Sequence, residues 1–241
     1  MWQASADSTK KEDITMKANY RQHLAGLTLL VVPLAFAAYA QSDRDRENCR
    51  EGPEIVYRWD LIHTPSFNPT VAFPDGSDSA LANDGSKITL TGHGTFEPGE
   101  PGEVTGGGTW TTFDPSGTVT GTGRYRVTEL IRFTVAPGFN NGLTIDNIPG
   151  ATGDLTDNRA GLLFVKIAYS DGSKGVLVVS CDLPGGPGPD RPGAPSSLFE
   201  GITASKGFVD YWNRVAPVPG VDGNRTLFHV RVKQGDRDTE Q

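Results

Sequence analysis

Apolar and polar residues alternate along several short stretches of this chain, a pattern that predicts β-strands. The first stretch is 54–63, where Tyr57 and Trp59 fall on one face and Arg58 and Asp60 on the other. From position 41 onward there is no long run with helical periodicity. The pattern therefore favours a protein built from strands.

Two nearly continuous apolar runs, 162–169 and 175–181, flank a Ser-Asp-Gly-Ser turn. They predict a hairpin that is covered on both faces. Residues 226–233 predict a closing strand, and 198–212 predict one or two strands. Clusters of proline, glycine, asparagine and aspartate predict three long loops, at 64–86, 136–160 and 182–197.

A short pattern, T-G-x-G-[T/R]-aromatic, occurs three times between Lys87 and Pro137, beginning at Thr91, Thr105 and Thr120. The copies start 14 and then 15 residues apart, which is the spacing of consecutive short strands. Because side chains alternate between faces, the glycines and the aromatic ring of each copy share one face, and mostly threonines occupy the other. We expect the ring of one copy to cover a glycine of the next strand and the glycines to let the sheet curve.

These elements predict an all-β fold, either a single antiparallel β-barrel or a strongly curved β-sandwich with long Gly/Pro-rich loops. The chain has 30 glycines in 241 residues, well above the usual share of about 7 %. Such a composition agrees with a curved sheet and long loops.

The first 40 residues read as a targeting segment. Met16 and Lys17 open a basic stretch, an apolar run covers 24–37, and Ala38-Tyr39-Ala40 is a small-x-small cleavage signal. We expect 1–40 to comprise a leader followed by a secretory signal peptide, and we expect Met16 to be the true start of that signal peptide. A retained membrane anchor is the alternative.

Cleavage after the signal would leave a secreted protein, extracellular or periplasmic, with no membrane attachment. We expect residues 41–241 to form a single all-β domain with a flexible loop at 182–197 and a disordered C-terminal tail. About 200 residues suffice for one substantial core.

Two cysteines remain in that domain, Cys49 near its start and Cys181 at the end of an apolar run. In an oxidising compartment the simplest interpretation is a disulfide between them. A metal site is the alternative, but no C-x-x-C or H-x-x-x-H spacing supports it, and we expect no metal.

The whole chain has a net charge of −7. Removal of residues 1–40 would make it −8, because that segment holds four basic and three acidic residues. A chain this acidic lacks the basic clusters that bind phosphate, so we expect no nucleic-acid partner. The paired glycines precede no helix and resemble no phosphate loop, and we expect no cofactor.

Glu129 is the sharpest catalytic candidate, since alternation places its carboxylate among apolar side chains. Desolvation there would raise its pKa and suit acid–base catalysis. The alternative is a β-bulge near 128–130 that turns Glu129 outward, which the length of the strand favours. Asp210 is a second candidate carboxylate.

Three histidines, His63, His93 and His229, fall on or beside predicted strands. They could meet and bind zinc, but nothing in their spacing requires it, so scattered histidines are favoured.

Aromatic and polar residues are densest in 206–214, where Phe208, Tyr211 and Trp212 lie. Together with Trp110 and Tyr125 of the repeat, these side chains are candidates for binding a small apolar ligand or a carbohydrate. The alternative is an ordinary core strand followed by a polar turn.

Three functions are compatible with these features. The first is a secreted binding or surface-interaction module for a small apolar ligand or carbohydrate. The second is a secreted enzyme of the cyclase, isomerase or hydrolase type that uses Glu129 or Asp210 as acid or base. The third is a structural extracellular protein.

Overall fold

The computed structural model describes residues 55–67, 69–136, 145–151, 157–182, 199–216 and 223–232. All of them lie within the unit Gly52–Gln241. The leader, Cys49, the loop predicted at 182–197 from its second residue onward and the C-terminal tail fall outside the described residues.

The described part of the chain contains fifteen strands. They are β1 (Ile55–Phe67), β2 (Thr70–Phe73), β3 (Ser77–Leu81), β4 (Lys87–Thr91), β5 (His93–Phe96), β6 (Gly107–Phe113), β7 (Val119–Val135), β8 (Ile145–Asp146), β9 (Asn158–Arg159), β10 (Gly161–Tyr169), β11 (Lys174–Cys181), β12 (Gly201–Lys206), β13 (Val209–Tyr211), β14 (Asn213–Arg214) and β15 (Arg225–Val232). No helix in these ranges has the length and apolar character that crossing a membrane requires.

The strands form one large, mostly antiparallel sheet, so the predicted all-β class is confirmed. Its main hydrogen-bonded path runs β13-β12-β11-β10-β7-β6-β5-β1-β15-β9. Away from this path, β14 pairs with β3, β3 with β4, β4 with β6, and β2 with both β1 and β8. The β2–β8 pairing is the parallel one among the described strands. Along the described path the sheet does not close on itself into a complete barrel.

Several predicted elements have their expected places. The apolar hairpin is β10–β11, with eight residue pairs from Gly161↔Cys181 to Ala168↔Lys174. The 198–212 stretch contains β12 and β13, and the closing strand is β15. β15 pairs with β1 over eight positions, from Ile55↔Val232 to Ile62↔Arg225.

Two segments predicted as loops contain short strands instead. Residues 64–86 include β2 and β3, and residues 136–160 include β8 and β9. These strands have only two to five residues, too few to display a period in the sequence. Neighbouring strands hold them in the sheet, as β4 does for β3 and β15 does for β9.

The repeat strands keep the predicted division between faces. In the first copy Ile88, Leu90, Gly92, Gly94 and Phe96 are buried, while their neighbours along the chain are less so. The predicted covering of glycine by aromatic rings is also confirmed. A Cβ atom placed on Gly121 would lie 3.0 Å from the Trp110 ring, and one on Gly123 would lie 2.8 Å from its Nε1.

Most of the buried apolar side chains form one cluster to which most strands contribute, and Ala136 and Ala160 form a second, small one. The largest fully buried members of the main cluster include Trp59, Phe96, Phe228, Leu163 and Ile167. Aromatic rings meet within it at 4.7 Å between the centroids of Phe96 and Phe133 and at 5.2 Å between those of Phe133 and Phe228. Edge-to-face contacts of this kind add to the burial of apolar surface.

Candidate functional site

A polar groove of about 640 Å³ lies over the glycine repeat, on the threonine face. Its walls contain two cross-strand pairs of threonines. The hydroxyl oxygens are 2.7 Å apart in the pair Thr91–Thr109 and 2.8 Å apart in Thr95–Thr105. The volume falls within the range of about 300–1,000 Å³ that is typical of ligand sites.

The groove exists because glycine lets the strands approach and bend at this point. A Cβ atom on Gly108 would lie 1.9 Å from the backbone oxygen of Thr91, so no other residue fits without a shift of the backbone. Gly106 has φ +118°, a conformation that L side chains rarely adopt. Tyr125 lies beneath the groove, and its hydroxyl donates to the Thr91 carbonyl at 2.9 Å. Burial raises the pKa of this phenol far above its ordinary value.

Four ionisable side chains also line the groove: Arg58, Asp75, His93 and Arg124. Arg58 is the most firmly held of them. Its Nε and Nη2 atoms donate to the two carboxylate oxygens of Asp60 at 2.7 and 2.6 Å. The side chain of Asp60 is fully buried, whereas that of Arg58 is 16 % exposed. The hydrogen bond that the guanidinium donates to Asp60 raises the pKa of Arg58, so its charge is permanent.

Arg58 belongs to a row of directly opposed polar residues that crosses four neighbouring strands. The register pairs Asn158 of β9 with His229 of β15, His229 with Arg58 of β1, and Arg58 with Thr95 of β5. Opposed residues in a sheet point to the same face. The row therefore leads from a buried amide to the hydroxyls of the groove.

His229 forms a second buried side-chain pair in this row. Its Nε2 lies 2.6 Å from Oδ2 of Asp146, and the two side chains are only 1 % and 5 % exposed. Burial tends to raise the pKa of Asp146, but the hydrogen bond and charge of His229 outweigh it and hold the pKa below its ordinary value. Within the described ranges, Nδ1 of His229 and both amide atoms of Asn158 are buried without a hydrogen-bond partner. Buried polar atoms without a partner are rare in folded proteins.

A separate pair of buried carboxylates ties the ends of several strands together. Asp78 of β3 accepts the N–H of Arg225 at 2.9 Å. Glu200, just before β12, accepts the N–H groups of Asp182 and Thr226. Burial raises the pKa of Glu200 to about 7. Burial and the negative charge of Glu200 raise the pKa of Asp78 well above its ordinary value.

Glu129 does not lie in an apolar environment. The β7–β10 register shifts at two places, between Lys166 and Ile167 and between Phe164 and Val165. The shifts are the bulges that the length of the strand predicted, and they turn Glu129 outward. Its carboxylate is 45 % exposed and accepts two hydrogen bonds from Lys166 at 2.8 and 2.9 Å. The structure therefore agrees with the bulge alternative for Glu129 and not with its desolvation. Asp210 is exposed on β13, and neither carboxylate lines the groove.

The five aromatic candidates divide into two groups. Trp110, Tyr125 and Tyr211 are at most 5 % exposed and belong to the core. Phe208 is fully exposed, and Trp212 is 60 % exposed. Alternation along a strand shows which side chains share a face, but it does not show whether that face is filled by other strands.

The histidines and cysteines have the following places. His93 lines the groove and His229 pairs with Asp146, and no group of three His, Cys, Asp or Glu side chains in the described ranges could hold a metal. The side chain of Cys181 is fully buried at the end of β11. No disulfide is seen in the described part of the chain, and Cys49 lies outside it.

Sequence analysis did not identify most of the polar row. Alternation in the first strand placed Arg58 and Asp60 on one face, which was the available signal for this pair. Asp146 and Asn158 stand in a segment without periodicity, so nothing in the sequence predicted that they meet His229.

Comparisons with known proteins give this chain no relatives: no protein-family model, no curated protein and no solved structure matches it. Its function therefore has to be inferred from the site.

Proposed function

We propose that this protein is a secreted binding module whose groove over the glycine repeat holds a carbohydrate or a similar hydroxyl-rich ligand. The observation that carries the proposal is the combination of two threonine pairs with a fixed arginine in one groove. Hydroxyls can donate and accept, which is what recognition of sugar hydroxyls requires.

The fixed position of Arg58 supports binding. Holding a guanidinium against a fully buried carboxylate is costly unless geometry is good, and it orders the side chain before any ligand arrives. Glycine backbone on the groove floor allows close approach of a ligand to main-chain atoms.

An apolar ligand fits this groove less well. Threonine hydroxyls and the charged groups of Arg58, Asp75 and Arg124 line it, and these groups would lose water without gaining partners. The aromatic side chains that could hold an apolar ligand, Trp110 and Tyr211, are packed in the core.

An enzyme remains a second candidate because of the His229–Asp146 pair. Its geometry is that of a histidine oriented by a carboxylate, as in many acid–base sites. The exposed positions of Glu129 and Asp210 give no support to a role for them, so an enzyme would have to use His229. With 1 % of its side chain exposed, His229 would act only on a ligand that reaches the inner end of the row.

Barrel-like curvature and secretion are parts of the same proposal. β13 pairs with β12 and β14 pairs with β3, and Trp212 alone separates β13 from β14. This kinked connection supports a sheet that curls until its β12 and β3 regions nearly meet. The signal-like segment 16–40 supports export, and export would allow the Cys49–Cys181 disulfide.

Titration of the protein with neutral trisaccharides (cellotriose, chitotriose and maltotriose) tests the groove, with heteronuclear NMR spectra as the readout. We expect at least one sugar to shift resonances of the Thr91–Thr95 and Thr105–Thr109 segments. The apolar dye 1-anilinonaphthalene-8-sulfonate serves as the opposite probe. Sugar binding that leaves these segments unperturbed would refute the proposal. Binding of the dye to these segments, with no sugar binding there, would refute it as well.

A matched pair of variants makes the test specific. Thr91→Val/Thr109→Val removes a hydroxyl pair inside the groove, whereas Thr112→Val/Thr120→Val removes a similar pair, 2.9 Å apart, outside it. Each hydrogen bond is worth about 0.5–1.5 kcal/mol, so the groove variant should bind about tenfold more weakly. The control variant should bind as the native protein does.

A further inference from the structure

Trp212 is exposed although the other described tryptophans are buried. Its side chain is 60 % exposed, against 0 % for Trp59 and 4 % for Trp110. It follows β13 and precedes β14, at the kink between the two strands. Single exposed apolar side chains are common on protein surfaces, so the significance of Trp212 depends on how its ring is held.

The indole ring is held in one orientation. Its Nε1 donates to the side-chain oxygen of Asn83 at 3.0 Å, and the amide of Asn213 donates to the same oxygen at 3.3 Å. Asn83 lies in the β3–β4 turn, which is closed by bonds from the N–H of Ala82 to the Ser86 carbonyl and from the N–H of Gly85 to the Ala82 carbonyl. The register Asn213↔Leu81 fixes the same turn to β14. A ring tied to two strands and a turn loses little entropy when a ligand stacks on it.

We infer that Trp212, with Asn83 and Asn213, forms a platform for a sugar ring of a polysaccharide. The flat ring offers an apolar surface to the C–H face of a pyranose, and the two amides beside it offer donors and acceptors to the hydroxyls at the ring edge. None of the three residues lines the groove, so this site stands independently of the proposed function.

The charges around the platform favour a polysaccharide over a lipid surface. Asp84 in the turn and Asp210 in β13 are both exposed, and the chain as a whole has a net charge of −7. Of the basic residues near Trp212 in the sequence, Lys206 is engaged by Asp171 and Ser173, and Arg214 donates to the Glu200 carbonyl. Membrane surfaces rich in anionic lipid attract the opposite charge pattern. Phe208 occupies the tip of the hairpin, four positions before Trp212 in the sequence.

Cosedimentation of the full chain with crystalline cellulose and with chitin tests the platform, and vesicles of phosphatidylcholine with and without phosphatidylserine test the lipid alternative. We expect retention on at least one polysaccharide. Trp212→Ala should weaken it at least tenfold, Asn83→Ala should weaken it several-fold by releasing the ring, and Phe208→Ser should leave it unchanged. Retention should protect the exposed tryptophan from quenching by acrylamide.

Two controls keep the outcomes distinct. Circular dichroism and the melting temperature show whether each variant is folded. The control variant Thr112→Val/Thr120→Val should be retained as the native protein is. Trp212→Ala should leave the sugar-induced NMR shifts of the Thr91–Thr95 segment unchanged, so failure of the groove and failure of the platform are separate results. No retention on either polysaccharide, retention that Trp212→Ala leaves unchanged, or vesicle binding that Phe208→Ser abolishes would overturn the inference.

Discussion

Gly108 shows how much of this molecule depends on the absence of a side chain. A Cβ atom there would lie 1.9 Å from the Thr91 backbone oxygen and 2.8 Å from the Gly92 Cα. Because both atoms belong to the backbone of the neighbouring strand, neither can move aside alone. Gly108 therefore sets the distance between strands on which the groove depends.

We expect Gly108→Ala to lower the free energy of unfolding by about 2–3 kcal/mol, the usual cost of forcing atoms into a filled site. Gly102→Ala is the matched control, because a Cβ atom there meets nothing within 4 Å. Urea unfolding followed by tryptophan fluorescence measures both. Equal stability of the two variants would contradict the role assigned to Gly108.

The sequence at this scale predicted which side chains share a face but not how deeply each one is buried. It placed Trp110 and Tyr125 with the glycines, where they do lie. It also offered them as ligand-binding groups, but Trp110 packs against Tyr169 with the rings nearly perpendicular, and Tyr125 is buried. Whether a face is covered depends on strands distant in sequence, so the local pattern does not contain it.

At the scale of elements, β7 is the long strand whose irregularities matter most. Its 17 residues pair with β6 on one side and β10 on the other, and the β10 pairing shifts register twice. Each shift restores apolar residues to the core, since Val127 and Leu130 are both buried on either side of Glu129. The bulges thus explain how a carboxylate can stand in an apparently apolar sequence.

Glu129→Gln tests this account of the strand. An exposed Glu–Lys pair contributes little to stability, because solvent screens both charges. We expect the substitution to change the free energy of unfolding by less than about 0.5 kcal/mol and to leave ligand binding unchanged. A large change in either quantity, measured by urea unfolding and by sugar titration, would restore Glu129 as a functional group.

Long elements were predictable from sequence, and the shortest strands of the predicted loops were not. The strands β1, β10, β11 and β15 have eight or more residues and a clear pattern. β8 and β9 have two residues each, yet they supply Asp146 and Asn158 to the polar row. The parts of the site that sequence analysis missed are therefore those held by pairing rather than by local preference.

For the whole molecule, the buried carboxylates make stability depend on pH. Burial raises the pKa of Glu200 from its ordinary value of 4.5 to about 7 in the folded protein. Between these values the folded state binds more protons than the unfolded state, so stability is present at low pH and is lost as the pH rises. One pKa unit corresponds to about 1.4 kcal/mol, so the loss amounts to about 3 kcal/mol. The raised pKa of Asp78 acts in the same direction.

Urea unfolding at pH 5 and pH 7.5 measures this dependence. We expect the native protein to be more stable at pH 5, and Glu200→Gln to show a smaller difference between the two values. The variant loses one acceptor for the N–H groups of Asp182 and Thr226, so it should be less stable than the native protein at pH 5. Stability that rises from pH 5 to pH 7.5 would contradict the assignment.

The expected link between Cys49 and Cys181 is also a property of the whole molecule. Closure of so long a loop stabilises a protein by about 4–5 kcal/mol in the chain-entropy description. Because the Cys181 side chain is fully buried, thiol titration must use the denatured protein, unreduced. We expect no reactive thiol before reduction and two afterwards. Two thiols before reduction would show that the disulfide does not form.

The pairing of β1 with β15 has a consequence for the order in which the molecule forms. Tyr57 lies opposite Val230, so the first described strand pairs only after the last described strand has been synthesised. Contacts between residues so distant in sequence make folding slow. While the ribosome is still making the chain, the Trp59 side of β1 lacks Phe228, its partner in the sheet. The β1–β15 part of the sheet can therefore form only once β15 has been synthesised.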